Sequence, residues 1–326
     1  MKREAALKVT LLAGGVGGAK MAEGLAALGD IELSIIGNVA DDDAFHGLWV
    51  SPDIDTLTYS LGGMINRQQG WGLADEGTRA LDTLTMLGED TWMMLGDKDF
   101  GLHIYRTMRR AKGDRPSEIA RDVAKAFGVK PQILLPTDDK VQTRVRTDDG
   151  WISFQDYFVR RKCAPEVREL QFDGIEEAEP TKEALTALGE ADLIVIAPSN
   201  PLVSIAPILE TKGLRGAVAR AKAPKIAVSP FIAGKVVKGP ADRMMAALGL
   251  RADAAGVAER YAGWLDCLII DHQDEALSAD INAHGISAHC SDILMKDQAD
   301  KARLGREIVG LGRQWLKKQL KEGRAG

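Results

Sequence analysis

The chain has 326 residues, enough for one large domain or two modest ones. Hydrophobic residues make up 45% and charged residues 27%, a globular balance that excludes a disordered chain, a collagen-like repeat and a disulfide-dense miniature fold. With 42 Lys plus Arg against 47 Asp plus Glu the net charge is −5, so no surface for neutralising a phosphate backbone is expected, and no nucleic-acid partner.

The first elements follow from apolar patterning. Met1-Lys2-Arg3 has the look of a signal-peptide n-region, but the apolar stretch after it, residues 9–13, runs into glycines and is too short for an h-region. Residues 8–13 therefore read as a first strand. The run Gly14-Gly15-Val16-Gly17-Gly18 follows, then a helix with Met21, Leu25 and Leu28 on one face, completing a strand–loop–helix unit. Short apolar runs recur at 31–36, 193–197, 226–228 and 268–270 with helical patterns between several of them, which predicts an α/β fold with a parallel sheet and helices on both faces. No run approaches the ~18 residues of a membrane span. From residue 131 the pattern changes: residues 141–145 alternate, Asp149-Gly150 signals a turn, and 151–159 is aromatic and β-rich. This predicts a small hairpin-bearing insertion at 131–175 between a first part of the core at 1–130 and the rest at 176–326. The tail places Leu304, Ile308, Leu311 and Trp315 at helical spacing and then gathers Lys317, Lys318 and Lys321, cations suited to a helix C-terminus. Cys163, Cys267 and Cys290 show no C-x-x-C spacing, so neither a disulfide framework nor a thiolate metal site is expected, and a reducing cytoplasm fits.

Glycines between a strand and a helix let backbone N–H groups and the helix dipole close on an anion. The spelling matches neither standard nucleotide motif. Counted from Gly14, Ala19 stands where a P-loop needs its second glycine and Met21 where it needs a hydroxyl, while a dinucleotide fingerprint begun at Gly15 ends on Lys20. The loop with Lys20 beside it is read as an anion site of its own kind.

The second signal is acidic. Asp41, Asp42 and Asp43 follow Asn38, and Ser51-Pro52-Asp53-Ile54-Asp55-Thr56 comes soon after. Pro52 biases Ser51 toward an extended backbone, and alternation there would set Asp53 and Asp55 on the same side. Adjacent carboxylates repel unless a proton or cation intervenes, and such oxygens suit Mg²⁺ holding phosphates. Asp41 reads as a solvated turn residue, whereas Asp53 and Asp55 are flanked by apolar Ile54 and Leu57. Three further segments combine small polar residues with Pro or Gly: Leu95 to Asp99 leading to His103 and Arg106, which are three apart on one helical face; Pro136 to Asp139; and Ala197-Pro198-Ser199-Asn200-Pro201 before Ser204. The last follows a strand, where α/β sheets bind ligands.

Taken in order, the segments 13–20, 38–56, 70–72, 95–106, 135–143, 154–155, 197–209 and 229–240 closely resemble the 2-phospho-L-lactate transferases of deazaflavin coenzyme (F-420) biosynthesis. Val39, Phe231 and Ala233 depart from that family's usual pattern. The resemblance implies a Rossmann-like core, Mg²⁺, a homodimer, and transfer of a phosphorylated three-carbon acid from its diphosphoguanosine conjugate to the ribityl hydroxyl of the deazaflavin Fo, releasing GMP. It implies Asp42, Asp53 and Asp55 as catalytic residues and Asp42, Asp43, Asp53 and Asp55 as metal ligands. Gly14, Gly15, Val16, Gly17, Gly18, Lys20, Ser199, Asn200 and Ser204 would meet the donor, and Asp55, Lys98, His103 and Arg106 the acceptor. No covalent nucleophile stands out, so direct transfer is expected. Two other classes remain open. A nucleotide-sugar-binding regulator of the gluconeogenesis-factor type would continue the acidic turn with Gly-Gly-Ser-Ser-Gly, where this chain has Ala44-Phe45-His46-Gly47. A zinc hydrolase would draw on Asp271, His272, His284, His289 and Cys290, whose spacing fits no zinc motif.

Overall fold

The structure is a computed structural model that describes residues 6–322, without the side chains of 320–322, so Met1-Lys2-Arg3 and the Lys321 side chain lie outside the described residues. The chain begins β1 (Leu7–Ala13), α1 (Gly15–Ala26), β2 (Ile31–Gly37), the hairpin β3 (Asp43–Phe45) and β4 (Leu48–Val50), then α2 (Pro52–Leu61), α3 (Arg79–Met86), α4 (Asp97–Ala111) and α5 (Pro116–Ala126). It continues with β5 (Gln132–Leu134), β6 (Gln142–Thr147), β7 (Gly150–Ser153), β8 (Glu169–Asp173), α6 (Lys182–Glu190), β9 (Leu193–Ile196), α7 (Ala206–Glu210), α8 (Leu214–Arg220) and β10 (Lys225–Val228). The last part holds the short hairpin β11 (Phe231–Ile232) and β12 (Lys235–Val236), then α9 (Ala241–Ala247), α10 (Ala254–Tyr261), β13 (Cys267–Asp271), α11 (Ser278–Ala283), β14 (Ser287–Ser291) and α12 (Gln298–Glu322).

Seven of the described strands form a Rossmann-like parallel sheet in the order β14-β13-β10-β9-β1-β2-β5. Side chains alternate across it. On β9, Leu193 and Val195 join one core with α1, α2, α5 and α12, whereas Ile194 and Ile196 join the other with α6, α8, α9, α10 and α11. All four are fully buried, which is why this stretch is apolar throughout rather than alternating. The sequence-based boundary at 131 needs correction. Residues 132–134 pair in parallel with β2 and close the main sheet, so what stands apart is the antiparallel sheet β7-β6-β8. A three-residue strand carries too little period to separate it from the alternation that follows.

In α12, Leu304 and Ile308 are fully buried against α1, and Lys301 reaches into that contact to pair with buried Glu23. No helix among the described residues is long and apolar enough to cross a membrane.

Candidate active site

The order of the sheet fixes where a ligand can sit. From β1 the sheet grows through β2 on one side and through β9 on the other, so their carboxyl ends diverge and leave a crevice. A cleft of about 390 Å³ opens there. Its floor is Gly14–Gly17 and the loop after β9, one wall is the first turn of α2, and its rim carries Trp71, Met94, Phe158 and Lys238.

The glycines at the floor answer first to packing. Gly14 is extended, Gly15 has φ +63°, and a Cβ on Gly14 would lie 2.7 Å from Asp53 Oδ2 and 2.8 Å from Ser204 Cβ. A Cβ on Gly17 would lie 2.4 Å from the Pro198 carbonyl oxygen. The loop after β9 is fastened here: Ser199 Oγ donates to Gly14 O at 2.7 Å and accepts from Gly14 N at 3.2 Å. Asn200 caps the turn that follows by accepting from Leu202 N, while its side chain and Ser204 face the cleft. Gly18 is buried beside Ser199 rather than on the cleft wall.

The acidic segment folds differently from its extended reading. Pro52 is the first residue of α2, where its fixed φ and missing N–H fit a helix start, and Asp53 and Asp55 in the first turn suit the dipole. Two residues apart on a helix, they point ~200° apart. Asp53 faces the glycine loop, accepting from Gly15 N at 2.8 Å and Asn38 Nδ2 at 3.0 Å. Asp55 turns to α4, where the guanidinium of buried Arg106 grips both its oxygens. Asp42 is turned away from the cleft and accepts from Ser51 Oγ at 2.6 Å and Trp49 Nε1 at 3.1 Å. Asp43 belongs to the β3 hairpin and accepts from Gln142 Nε2 at 3.0 Å.

Asp41, read from sequence as a solvated turn, is 6% exposed and lines the cleft beside Asp53. Segments far along the chain bury it: Thr143 N donates to Ala40 O at 2.7 Å and Gln155 Nε2 to Asp41 O at 3.2 Å. Burial, then the Asp53 charge, push its carboxyl well above the usual range, and burial raises Asp53 against the pull of Asn38 and the Gly15 amide. The adjacent carboxylates are therefore Asp41 and Asp53, with no cationic side chain paired to either among the described residues. No group of three or more His, Cys, Asp or Glu converges to hold a metal among those residues, which corrects the four-aspartate ligand set. Of the residues the zinc reading draws on, Asp271 caps Gln273 N and His289 bonds Glu307.

On α4 the three-residue spacing does bring His103 and Arg106 together, with Arg106 NH1 3.1 Å from His103 Nδ1. Burial and the Arg106 charge push the imidazole down to about 4, so it is neutral at pH 7, with Nδ1 the acceptor and the other nitrogen carrying the proton. His103 and Asp55 both line the cleft, and Tyr59 O–H donates to Asp99 at 2.7 Å beside them. Lys98 is elsewhere, donating to Ala74 O over a groove on the far side of α4. Lys20 lies one turn beyond Val16 on α1 and donates to Met295 O at 3.0 Å, off the cleft wall. Lys238, which lies in the last of the resembling segments, supplies the cleft's lysine.

The fold and site define a Rossmann-like α/β protein with a cleft at the switch point of its sheet. The family model described as 2-phospho-L-lactate transferase CofD matches residues 9–309. A 2-phospho-L-lactate transferase of Methanopyrus kandleri is 39% identical over 307 residues, covering 93% of this chain and 97% of that protein. A phosphoenolpyruvate transferase of Streptomyces griseus is 37% identical over 312 residues, covering 94% of this chain and 98% of that protein. Two crystal structures of a Bacillus halodurans protein, one described as a upf0052 family member, superpose with TM-scores of 0.65 and 0.61 at 15% and 16% identity, covering 93% and 94% of this chain and 99% of theirs. This chain belongs to the CofD 2-phospho-L-lactate transferase family and is a transferase.

Proposed function

We propose that the protein transfers a phosphorylated three-carbon acid, phospholactate or phosphoenolpyruvate, from its diphosphoguanosine conjugate to the ribityl hydroxyl of the deazaflavin Fo, releasing GMP in F-420 biosynthesis. The observation that carries this reading is the Asp41–Asp53 pair beside the first turn of α1, within a cleft whose rim carries apolar Trp71, Met94 and Phe158 together with Lys238. An alcohol attacking a diphosphate needs charge compensation on the phosphate oxygens, in-line positioning and a group to take the hydroxyl proton.

Asp53 is held by Gly15 N and Asn38, so it is oriented before substrate arrives. Asp41, whose Oδ1 has only a 3.5 Å contact to Thr143 Oγ1, is the carboxylate free to take the hydroxyl proton. Asp41 and Asp53, two buried carboxylates without a cationic partner, would hold Mg²⁺ beside the substrate phosphates. When bound, the ion would spread the charge that builds on the transferred phosphoryl group. Neutral His103 can donate a hydrogen bond into the cleft, and Trp71, Met93, Met94, Phe154 and Phe158 offer the apolar, flat surfaces that a deazaflavin ring requires.

The test is incubation of the purified protein with Fo, Mg²⁺ and each guanosine conjugate in turn, with products followed by mass. Formation of the phosphoacyl-Fo product together with GMP is the expected outcome and also identifies the acid. Absence of any Fo adduct with every conjugate would refute the reading.

A further inference from the structure

Two loops from different halves of the chain meet over the mouth of the cleft. The first, between α2 and α3, folds back on itself: Ile65 bridges to Leu73, Asn66 N donates to Gly72 O at 2.9 Å, and Gly70 N donates to Asn66 O at 2.8 Å. It brings Trp71 to the rim and is held on α1 by Arg67, which pairs with the same Glu23 that Lys301 grips. The second loop follows β12 and brings Lys238 and Gly239 to the rim. One hydrogen bond joins the two, from Lys238 Nζ to Gln69 O at 2.7 Å.

Lys238 is placed unlike any other cation of the described residues. Asp41, Asp53, Asp55 and Asp99 all line the cleft, yet Lys238 is the one Lys or Arg among the described residues that does. Arg106 answers Asp55 from behind the wall, and among the described residues no carboxylate pairs with Lys238. Its partner is a neutral carbonyl at the rim. A Cβ built on Gly70 would lie 3.2 Å from Val16 Cγ1 and 3.5 Å from Lys238 Nζ, so the ammonium stands beside the first turn of α1. Desolvation and the nearby Lys20 charge push that ammonium down, a penalty an anion beside it would relieve.

An unpaired cation and a helix N-terminus converging on one point select a polyanion, and a diphosphate is the one the proposed reaction supplies. We infer that Lys238 is the cationic ligand of the donor's diphosphate, exchanging the Gln69 carbonyl for a phosphate oxygen when donor enters. The inference rests on the functional reading above and goes beyond it by assigning the phosphate charge to a residue 218 positions from Lys20 in sequence. The exchange favours phosphate because an anionic oxygen adds a charge–charge attraction to the ammonium that the neutral Gln69 carbonyl lacks.

The experiment measures binding of GDP and of inorganic pyrophosphate, with Mg²⁺ present, to wild type, Lys238→Met, Lys238→Arg and Lys20→Met by calorimetry, with Fo binding followed in parallel. Lys238→Met is expected to weaken both anions about tenfold or more while Fo binding is unchanged, Lys238→Arg to recover most of the loss, and Lys20→Met to bind GDP as wild type does. Wild-type GDP affinity in Lys238→Met, or loss confined to Lys20→Met, overturns this assignment and leaves the functional reading standing. A wild-type protein that binds neither GDP nor pyrophosphate overturns both.

Discussion

At the scale of single residues, the acidic segment is sorted by what each carboxylate touches. Asp42 is buried with one oxygen held by Ser51 and Trp49 and the other without a partner, and burial pushes its carboxyl up to about 7. In the unfolded chain that group titrates near ~3.9. Between roughly pH 4 and 7 the unfolded state has released a proton that the folded state retains, so this group's contribution to stability falls as pH rises through that window. His103 acts in the opposite sense, because a folded value of about 4 means stability is lost as pH falls from ~6.5 toward that value. Asp42→Asn removes the first effect and can still offer an oxygen to Ser51 and Trp49. Urea denaturation from pH 4 to 8 should show the variant gaining on wild type with rising pH, by on the order of 4 kcal/mol at the upper end. A constant offset across the range would mean that Asp42 ionises normally in the fold.

At the scale of elements, the β11–β12 hairpin shows what the departures from the family pattern cost. Ala233 has φ +50° and Gly234 has φ +71°, the pair of left-handed residues that a tight hairpin turn needs. Glycine at the first position is free of the Cβ penalty, so Ala233→Gly should stabilise the fold by up to about 1 kcal/mol, offset in part by a more flexible unfolded chain. Chemical denaturation checks this, and net destabilisation would contradict it. Phe231 beside it is fully buried and its volume is absorbed by the core.

The same scale explains what was legible in the chain. The first β–loop–α unit and the buried strands were readable because their signals are local: apolar runs ended by Gly, Pro or Asp. The grouping of His103 with Arg106 was readable from spacing on one helix. The pairing of Asp53 with Asp55 was misread because Pro52 is compatible both with an extended neighbour and with the first position of a helix, and the choice decides whether side chains two apart converge or diverge. Asp41 was hidden for a different reason. Its burial is imposed by Thr143 and Gln155, more than a hundred residues away, and nothing near Asp41 announces them. Lys20 adjoins the glycine loop in sequence, but an extra turn of helix carries it ~6 Å along the axis, to the Met295 carbonyl.

At the scale of the whole molecule, the parallel sheet does one thing for function: by reversing direction at β1 it brings Gly14, the first turn of α2 and the loop after β9 to a single crevice. The β6–β7–β8 insertion and the β2–β3 turn then close over the carboxylates, and α12 braces α1 from behind through Lys301 and Glu23. In the proposed reaction Asp41 and Asp53, joined by this topology, form the reacting centre of the transferase. The most direct test is the rate of GMP release with Fo and donor as Mg²⁺ is removed and restored, for wild type, Asp41→Asn and Asp43→Asn. Wild-type turnover should stop on exhaustive chelation and return with Mg²⁺. Asp41→Asn should lose about 10²-fold or more at saturating Mg²⁺, and Asp43→Asn should behave as wild type. Wild-type rates from Asp41→Asn, or full turnover after chelation, would contradict the account.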